Sequence, residues 1–328
     1  MRKVVLLFLF ISSNIVAYNQ IIRGTVTDQN THDSIEFASI YINGTFVGTH
    51  SDQNGYFELD VSEYKSMPLT INALGYYPVI LTDFLSLVSL SVQLSPKVFE
   101  LTQVTIRGKE YLKVRRNNLK LFREAFLGVT QNASRTKILN EKNIQFYNST
   151  GDTLSSYTSG PIRIKNRELG YNMTYFLEEF KLNRKNKNFF FTGDIFFEKD
   201  LGTGAKSTHQ YEEKRRRAYL GSKMHFFRSL WADESDSDGF EIRGSGERIL
   251  SNNDIVLEED NQTKFLCYPG KLVIYYQSVI PSGYINFLKD MAFFDKSGYF
   301  DPLSMAWDGE MAQQRIADQL PYEYKISK

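Results

Sequence analysis

FASIYINGTFVGTHSDQNGYFEL, residues 37–59, is the stretch that decides the fold of the first part of the chain. Ile40-Tyr41-Ile42 and Thr45-Phe46-Val47 are two β-prone runs separated by Asn43-Gly44. That pair suits positive φ at both central positions of a type I′ turn, so the pattern predicts a two-residue hairpin. Asp52-Gln53-Asn54-Gly55 marks a second turn before Tyr56-Phe57-Glu58-Leu59. Working outward, Ile22 to Val26 opens the set, Leu69-Thr70-Ile71 runs into Leu74-Gly75-Tyr76, and Leu94-Ser95-Pro96 closes it. Short alternating strands punctuated by turn residues over 20–95 predict a small antiparallel sandwich.

The strings IRGTVTD (22–28), FASIYINGTFVGTHSDQNGYFEL (37–59) and LTINALGY (69–76) closely resemble the carboxypeptidase regulatory-like domain. The resemblance implies a transthyretin-like β-sandwich, also described as a carbohydrate-binding-like fold. Similar modules follow metallocarboxypeptidase domains and precede the plugs of TonB-dependent outer-membrane transporters. The matching residues are Gly24, Val26, Ala38, Gly44, Thr45, Gly48, Asp52, Gly55, Phe57, Gly75 and Tyr76. Ser34 departs from the pattern, standing where the family usually has proline. These residues are architectural, so the resemblance implies a fold and no active site.

Upstream, residues 1–17, MRKVVLLFLFISSNIVA, combine a basic start at Arg2 and Lys3 with an apolar run from Val4 to Ile11 and Ala17 before a cut. This reads as a secretory signal peptide, because the run is far shorter than the ~20 residues a membrane-spanning helix needs. No cysteine follows it to carry a lipid. The chain is therefore expected to be exported, to the periplasm or the outer membrane, without a transmembrane helix. The 39 basic residues less Arg2 and Lys3 leave 37 against 38 acidic ones, a balance that argues against nucleic acid as a partner. Of 328 residues, 42% are hydrophobic and 14% aromatic, enough for a packed β-rich core, while the lone Cys267 excludes a disulfide framework. Set in Phe265-Leu266-Cys267-Tyr268, that cysteine is expected to be a buried small hydrophobe.

Residues 96–115 read as a connecting strand and linker, and 116–328 as an α+β domain with an antiparallel sheet and packed helices. Leu119, Phe122, Phe126 and Val129 recur at helical spacing and predict a helix over about 116–132. Strand-like runs follow at Ile144–Tyr147, Pro161–Ile164, Met173–Leu177 and Phe189–Phe197, and later at Phe240–Ile242, Asp254–Leu257, Phe265–Tyr268 and Leu272–Tyr276. One long helix is predicted over 207–231, burying Leu220, Met224 or Phe227, Leu230 and Trp231 and exposing Lys214 to Arg217. RRRAYLGSKMHFFRSLWADESDSDGFEI (215–242) and MAQQRIADQLPYEY (311–324) are similar to the uncharacterised C-terminal region that accompanies this sandwich in a group of bacterial envelope proteins.

No chemical motif survives its spacing test, so no catalytic, cofactor-binding or metal-binding residue is assigned. His209 and Glu212 have the spacing of a zinc carboxypeptidase pair, but the next histidine is His225 on the same predicted helix, about 24 Å away. Gly202-Thr203-Gly204-Ala205-Lys206-Ser207-Thr208 lacks the glycines of a phosphate-binding loop, since Ala205 and Asp200 stand in their places. It reads as a turn before a helix, with Ser207 or Thr208 as N-cap. Asp233 to Gly239 is acidic but has Gly244 where an EF-hand needs its twelfth-position glutamate. The leading expectation is a non-enzymatic cell-envelope protein, not itself a carboxypeptidase, that binds an envelope protein or a glycan. The alternatives are an envelope hydrolase built on carboxylates that converge only in the fold, and a small outer-membrane barrel.

Overall fold

The structure, a computed structural model, describes residues 20–64, 67–86, 89–97, 109–149, 151–200, 205–260 and 263–326. The expected signal peptide lies outside them, as do residues 98–108 of the expected linker. The protein is β-rich, with several antiparallel sheets, and among the described residues no sheet closes on itself.

Strands β1 (Ile21–Asp28), β2 (Ser39–Ile42), β3 (Gly48–His50), β4 (Tyr56–Asp60), β5 (Leu69–Asn72), β6 (Val79–Leu81) and β7 (Leu90–Leu94) form two sheets, in the orders β4-β1-β7 and β3-β2-β5-β6. The alternation read from the sequence holds: β1, β4 and β7 bury every second residue. Ile22, Val26, Phe57, Leu59, Val92 and Leu94 thereby meet Ile40, Ile42, Leu69 and Ile71 of the facing sheet in one core. One pairing departs from expectation, because β1 and β7 run parallel. The loop containing Ser34 stays ordered without proline. Asp28 accepts hydrogen bonds from the Thr31 and Asn30 N–H groups and from Tyr76 Oη, and these bonds hold its carboxyl below the usual range.

The predicted Asn43-Gly44 hairpin is corrected. Tyr41 pairs with Gly48, so five residues, 43–47, connect β2 to β3, and of the central pair Gly44 is the residue at positive φ, +77°. Thr45 Oγ1 donates to the Ile42 carbonyl at 2.8 Å and closes this wider loop.

Helix α1 covers Lys109–Phe126, starting inside the segment read as linker and ending before Val129, which is exposed. Gly128 at φ +102° stops it. After the short α2 (Gln131–Ser134) come β8 (Thr136–Ile138), β9 (Ile144–Asn148), β10 (Thr153–Thr158), β11 (Ile162–Asn166), β12 (Tyr171–Asn183) and β13 (Phe189–Lys199). They form a six-stranded sheet in which β12 pairs β10, β11 and β13 antiparallel. Helix α1 lays Phe122 on Phe180 (ring centroids 4.6 Å apart) and Phe126 on Tyr175 (4.8 Å).

The predicted 207–231 helix is two helices, α3 (Ala205–Tyr219) and α4 (Lys223–Ala232). Gly221 at φ +72° ends the first, and the Ser222 hydroxyl accepts the His225 N–H to cap the second. Ser207 and Thr208 fall inside the first turn of α3 and are not its N-cap. Beyond lie β14 (Phe240–Arg243), α5 (Asn252–Ile255), β15 (Val256–Asp260), β16 (Thr263–Leu266), β17 (Leu272–Tyr276), β18 (Gly283–Phe287), β19 (Ala292–Phe294) and β20 (Met305–Asp308). The sheets β14-β17-β18-β20 and β15-β16-β19 enclose a core of their own around Phe226, Phe227 and Leu230 of α4. The buried residues thus gather into three clusters: the sandwich, the α1–β13 sheet together with the C-terminal residues 316–326, and the α4–β20 unit.

Candidate functional site

The loop at 43–47 is the joint of the molecule. Asn43 Oδ1 accepts the Ile195 N–H at 2.8 Å, the Gly44 N–H donates to the Ile195 carbonyl at 2.7 Å, and the Phe197 N–H donates to the Thr45 carbonyl at 3.0 Å. The C-terminal segment closes the other side. Gly44 O accepts from Tyr322 N–H at 2.9 Å, and Glu323 Oε1 accepts from Phe46 N–H at 2.7 Å. Arg228 of α4 fixes that segment by donating to the carbonyls of Ser297, Tyr324 and Tyr322 at 2.8, 2.7 and 2.9 Å. The Asn-Gly pair is therefore not a free hairpin tip; its polar atoms are spent on β13 and the chain's end.

Beside this joint the outer face of the β2–β5 sheet packs on the β12–β13 hairpin. Tyr41 stacks on Phe176 with centroids 5.0 Å apart, and its hydroxyl donates to Asp194 Oδ2 at 3.3 Å. A β-bulge between Leu177 and Glu179 brings Glu178 toward Asp194 and Lys97. Burial raises the Asp194 carboxyl above the usual range, against hydrogen bonds from Thr70 and Tyr41. Burial, with the Asp194 charge, raises Glu178 as well, and burial pushes the Lys97 ammonium down. Among the described residues this is where the seam brings two perturbed carboxylates together, the arrangement that the hydrolase reading requires. Neither lines the three cavities described here.

Those cavities all touch the seam. One of about 640 Å³ runs between Phe37, Leu74 and Lys97 of the sandwich and Tyr157, Pro161 and Leu177 of the second region. Phe37 is 72% exposed, Leu74 73% and Tyr157 46%, so large apolar surface faces solvent along this groove. A second, about 460 Å³, lies between His50 and Tyr41 on one side and Arg163, Asn172 and Glu198 on the other. The third, about 350 Å³, opens between β13, the start of α4 and the C-terminal segment.

The residues weighed in the sequence are scattered. His209 is exposed on α3, while His225 is buried among Tyr219, Phe240 and Tyr276, with Nδ1 accepting the Gly221 N–H at 3.2 Å. Burial lowers its pKa, against the pull of Asp238. Glu212 accepts from Tyr324 Oη at 3.0 Å. No group of three or more potential metal ligands forms among the described residues. Of the acidic loop, Asp233 is the left-handed C-cap of α4, and Asp238 accepts from Ser229 Oγ at 2.5 Å. Cys267 is only half-buried, and its surroundings push the thiol pKa up.

Residues 22–106 match the CarboxypepD_reg-like domain family. The match covers the sandwich and runs on to residue 106. No curated protein matches the chain. Among solved structures, a 9R-lipoxygenase from Cyanothece PCC8801 aligns at 7% identity over 65% of this chain and 48% of its own, with a TM-score of 0.18, and carries no argument. The chain spans about half of that structure's length.

Proposed function

We propose that the chain is a non-enzymatic protein of the bacterial envelope, exported by residues 1–17, that binds another envelope protein along the seam between its regulatory-like sandwich and its second region. One observation carries this reading: the groove of about 640 Å³ between the two regions, with Phe37, Leu74 and Tyr157 turned to solvent. Exposed aromatic and aliphatic side chains gathered in one concave strip fit an apolar segment of a protein partner. Phe37, Leu74, Pro161, Phe176 and Leu177 give the lining a continuous apolar part, the feature that favours a protein segment over a glycan as its occupant. The hydrolase reading is set aside, because neither Asp194 nor Glu178 is among the residues that line this groove. The open sheets favour the reading over a small barrel.

The test is a pulldown from the native envelope with the mature chain and with a Phe37→Ser, Tyr157→Ser variant of unchanged melting temperature. A specific protein retained by the natural chain and lost by the variant supports the proposal. Retention of glycan alone, of nothing, or of the same protein by both chains overturns it.

A further inference from the structure

The 350 Å³ cleft differs in character from the groove just described. It lies where the three cores meet, and Tyr175, Phe189, Phe191, Tyr299 and Phe300 form its walls. Its volume is at the small end of the range of about 300–1,000 Å³ typical of small-molecule sites. Three hydrogen-bond donors line this aromatic setting with acceptors wanting. Lys223, the first residue of α4, forms no ion pair among the described residues, and its Nζ stands 5.3 Å from the Trp307 ring centroid. Trp307 Nε1 and Arg315 Nε are buried without a hydrogen-bond partner. The Arg315 guanidinium is held in place, donating to the Glu124 and Ala125 carbonyls and lying 4.1 Å from the Phe189 ring centroid. Asp318 also lines the cleft, but its carboxylate is taken by Thr130 Oγ1 at 2.8 Å and Asn132 Nδ2 at 2.8 Å.

Donors left unpaired in a buried site cost free energy that an incoming acceptor recovers. Burial drives the Lys223 pKa down to about 8, with the like charge of Arg315 adding to the shift, and burial lowers Arg315 too. The two cations thus outnumber the one carboxylate that lines the cleft, and Asp318 acts on Arg315, which leaves Lys223 without a counter-charge among the described residues. The positive end of α4 adds to the same sign of potential. A neutral ligand leaves the Lys223 charge uncompensated, and an inorganic anion leaves the aromatic walls uncovered.

We propose that this cleft binds a small aromatic carboxylate, its oxygens accepting from Lys223, Trp307 and Arg315 and its ring packed among Phe189, Phe191 and Phe300. Phenylacetate is the probe, with phenylacetamide as its neutral counterpart. The chain holds two tryptophans, so a Trp231→Phe background leaves Trp307 as the fluorescent reporter. Phenylacetate should bind saturably, and phenylacetamide roughly tenfold more weakly or worse, the difference between a charge-assisted and a neutral hydrogen bond. Lys223→Met should bring phenylacetate down to the amide's level and leave the amide unchanged, with melting temperature showing that the chain is folded. Lys223→Gln, which keeps a donor and removes the charge, should fall between. Affinity for phenylacetate should fall as pH rises beyond about 8. The other titratable groups facing the cleft do not mimic that change, since the Tyr175, Tyr299 and Tyr322 phenols are shifted up by burial, Arg315 stays charged, and Asp318 titrates on the acid side. Equal binding of acid and amide, no saturable binding of either, displacement by equimolar inorganic phosphate, or undiminished binding by Lys223→Met overturns the proposal.

Discussion

Gly44→Ala tests whether the loop at 43–47 is a docked joint or an ordinary turn. Gly44 has φ +77°, and a Cβ there would stand 2.5 Å from Cε2 of Tyr322. Gly75 has φ +87° with nothing within 4 Å of its would-be Cβ, so Gly75→Ala is the control for backbone strain alone. Left-handed backbone costs an alanine about 1–2 kcal/mol at either position. At Gly44 the collision adds about 1–3 kcal/mol of overpacking. Tyr322 cannot swing clear cheaply, because its N–H donates to Gly44 O and its carbonyl accepts from Arg228. The expected losses are about 2–5 kcal/mol for Gly44→Ala and about 1–2 for Gly75→Ala. Urea denaturation reads both, and limited proteolysis after residue 320 reads release of the C-terminal segment, expected only for Gly44→Ala. Equal losses for the two variants, with the C-terminal segment equally protected, would refute the docked joint.

Asp194→Asn should change the pH dependence of stability. The Asp194 carboxyl is raised in the folded chain, so the native state holds the extra proton and stability falls as pH rises from the unfolded value near 3.8 through the folded one. The variant should therefore gain on the natural chain as pH rises above about 4, and a difference in melting temperature that stays flat with pH sinks the assignment. Arg228→Met leaves the carbonyls of Ser297, Tyr322 and Tyr324 without their donor and should cost about 3 kcal/mol or more, measured by chemical denaturation. Phe122→Ala, which empties the fully buried contact of α1 with Phe180, should cost about 3–5 kcal/mol; a loss below about 1 kcal/mol would mean that α1 is not seated on the sheet.

The sandwich was legible where local patterning decides the outcome. The alternation of β1, β4 and β7 survives folding because one face of each strand meets the core. Asn43-Gly44 departs from the two-residue turn its dipeptide predicts because its polar atoms find partners at Ile195 and Tyr322, far along the chain, and those contacts override the local preference. The helix break at Gly221-Ser222 did carry a signal, a glycine stop followed by a serine cap. The apolar stripe of Leu220, Met224 and Leu230 ran across it and hid it. The basic stretch up to Arg116 reads as a charged connection in sequence but lies in α1, from which Arg115 reaches the carbonyls of Ile144 and Glu141. None of the three cavities is legible in the sequence. Only the tertiary fold sets Lys223 and Arg315 around one cleft with Trp307.

The bond from Phe46 to Glu323 spans 277 residues and gives the chain a clock. During synthesis, at roughly 5–20 residues per second, the sandwich sequence emerges tens of seconds before its last partner exists. Over that interval the loop at 43–47 waits with its amides unclaimed, and the Tyr41 face waits for β12 and β13. Acquisition of the native joint thus waits until residues 322 and 323 have been made, and a polypeptide terminated before Tyr322 would retain an open loop for quality-control factors to find.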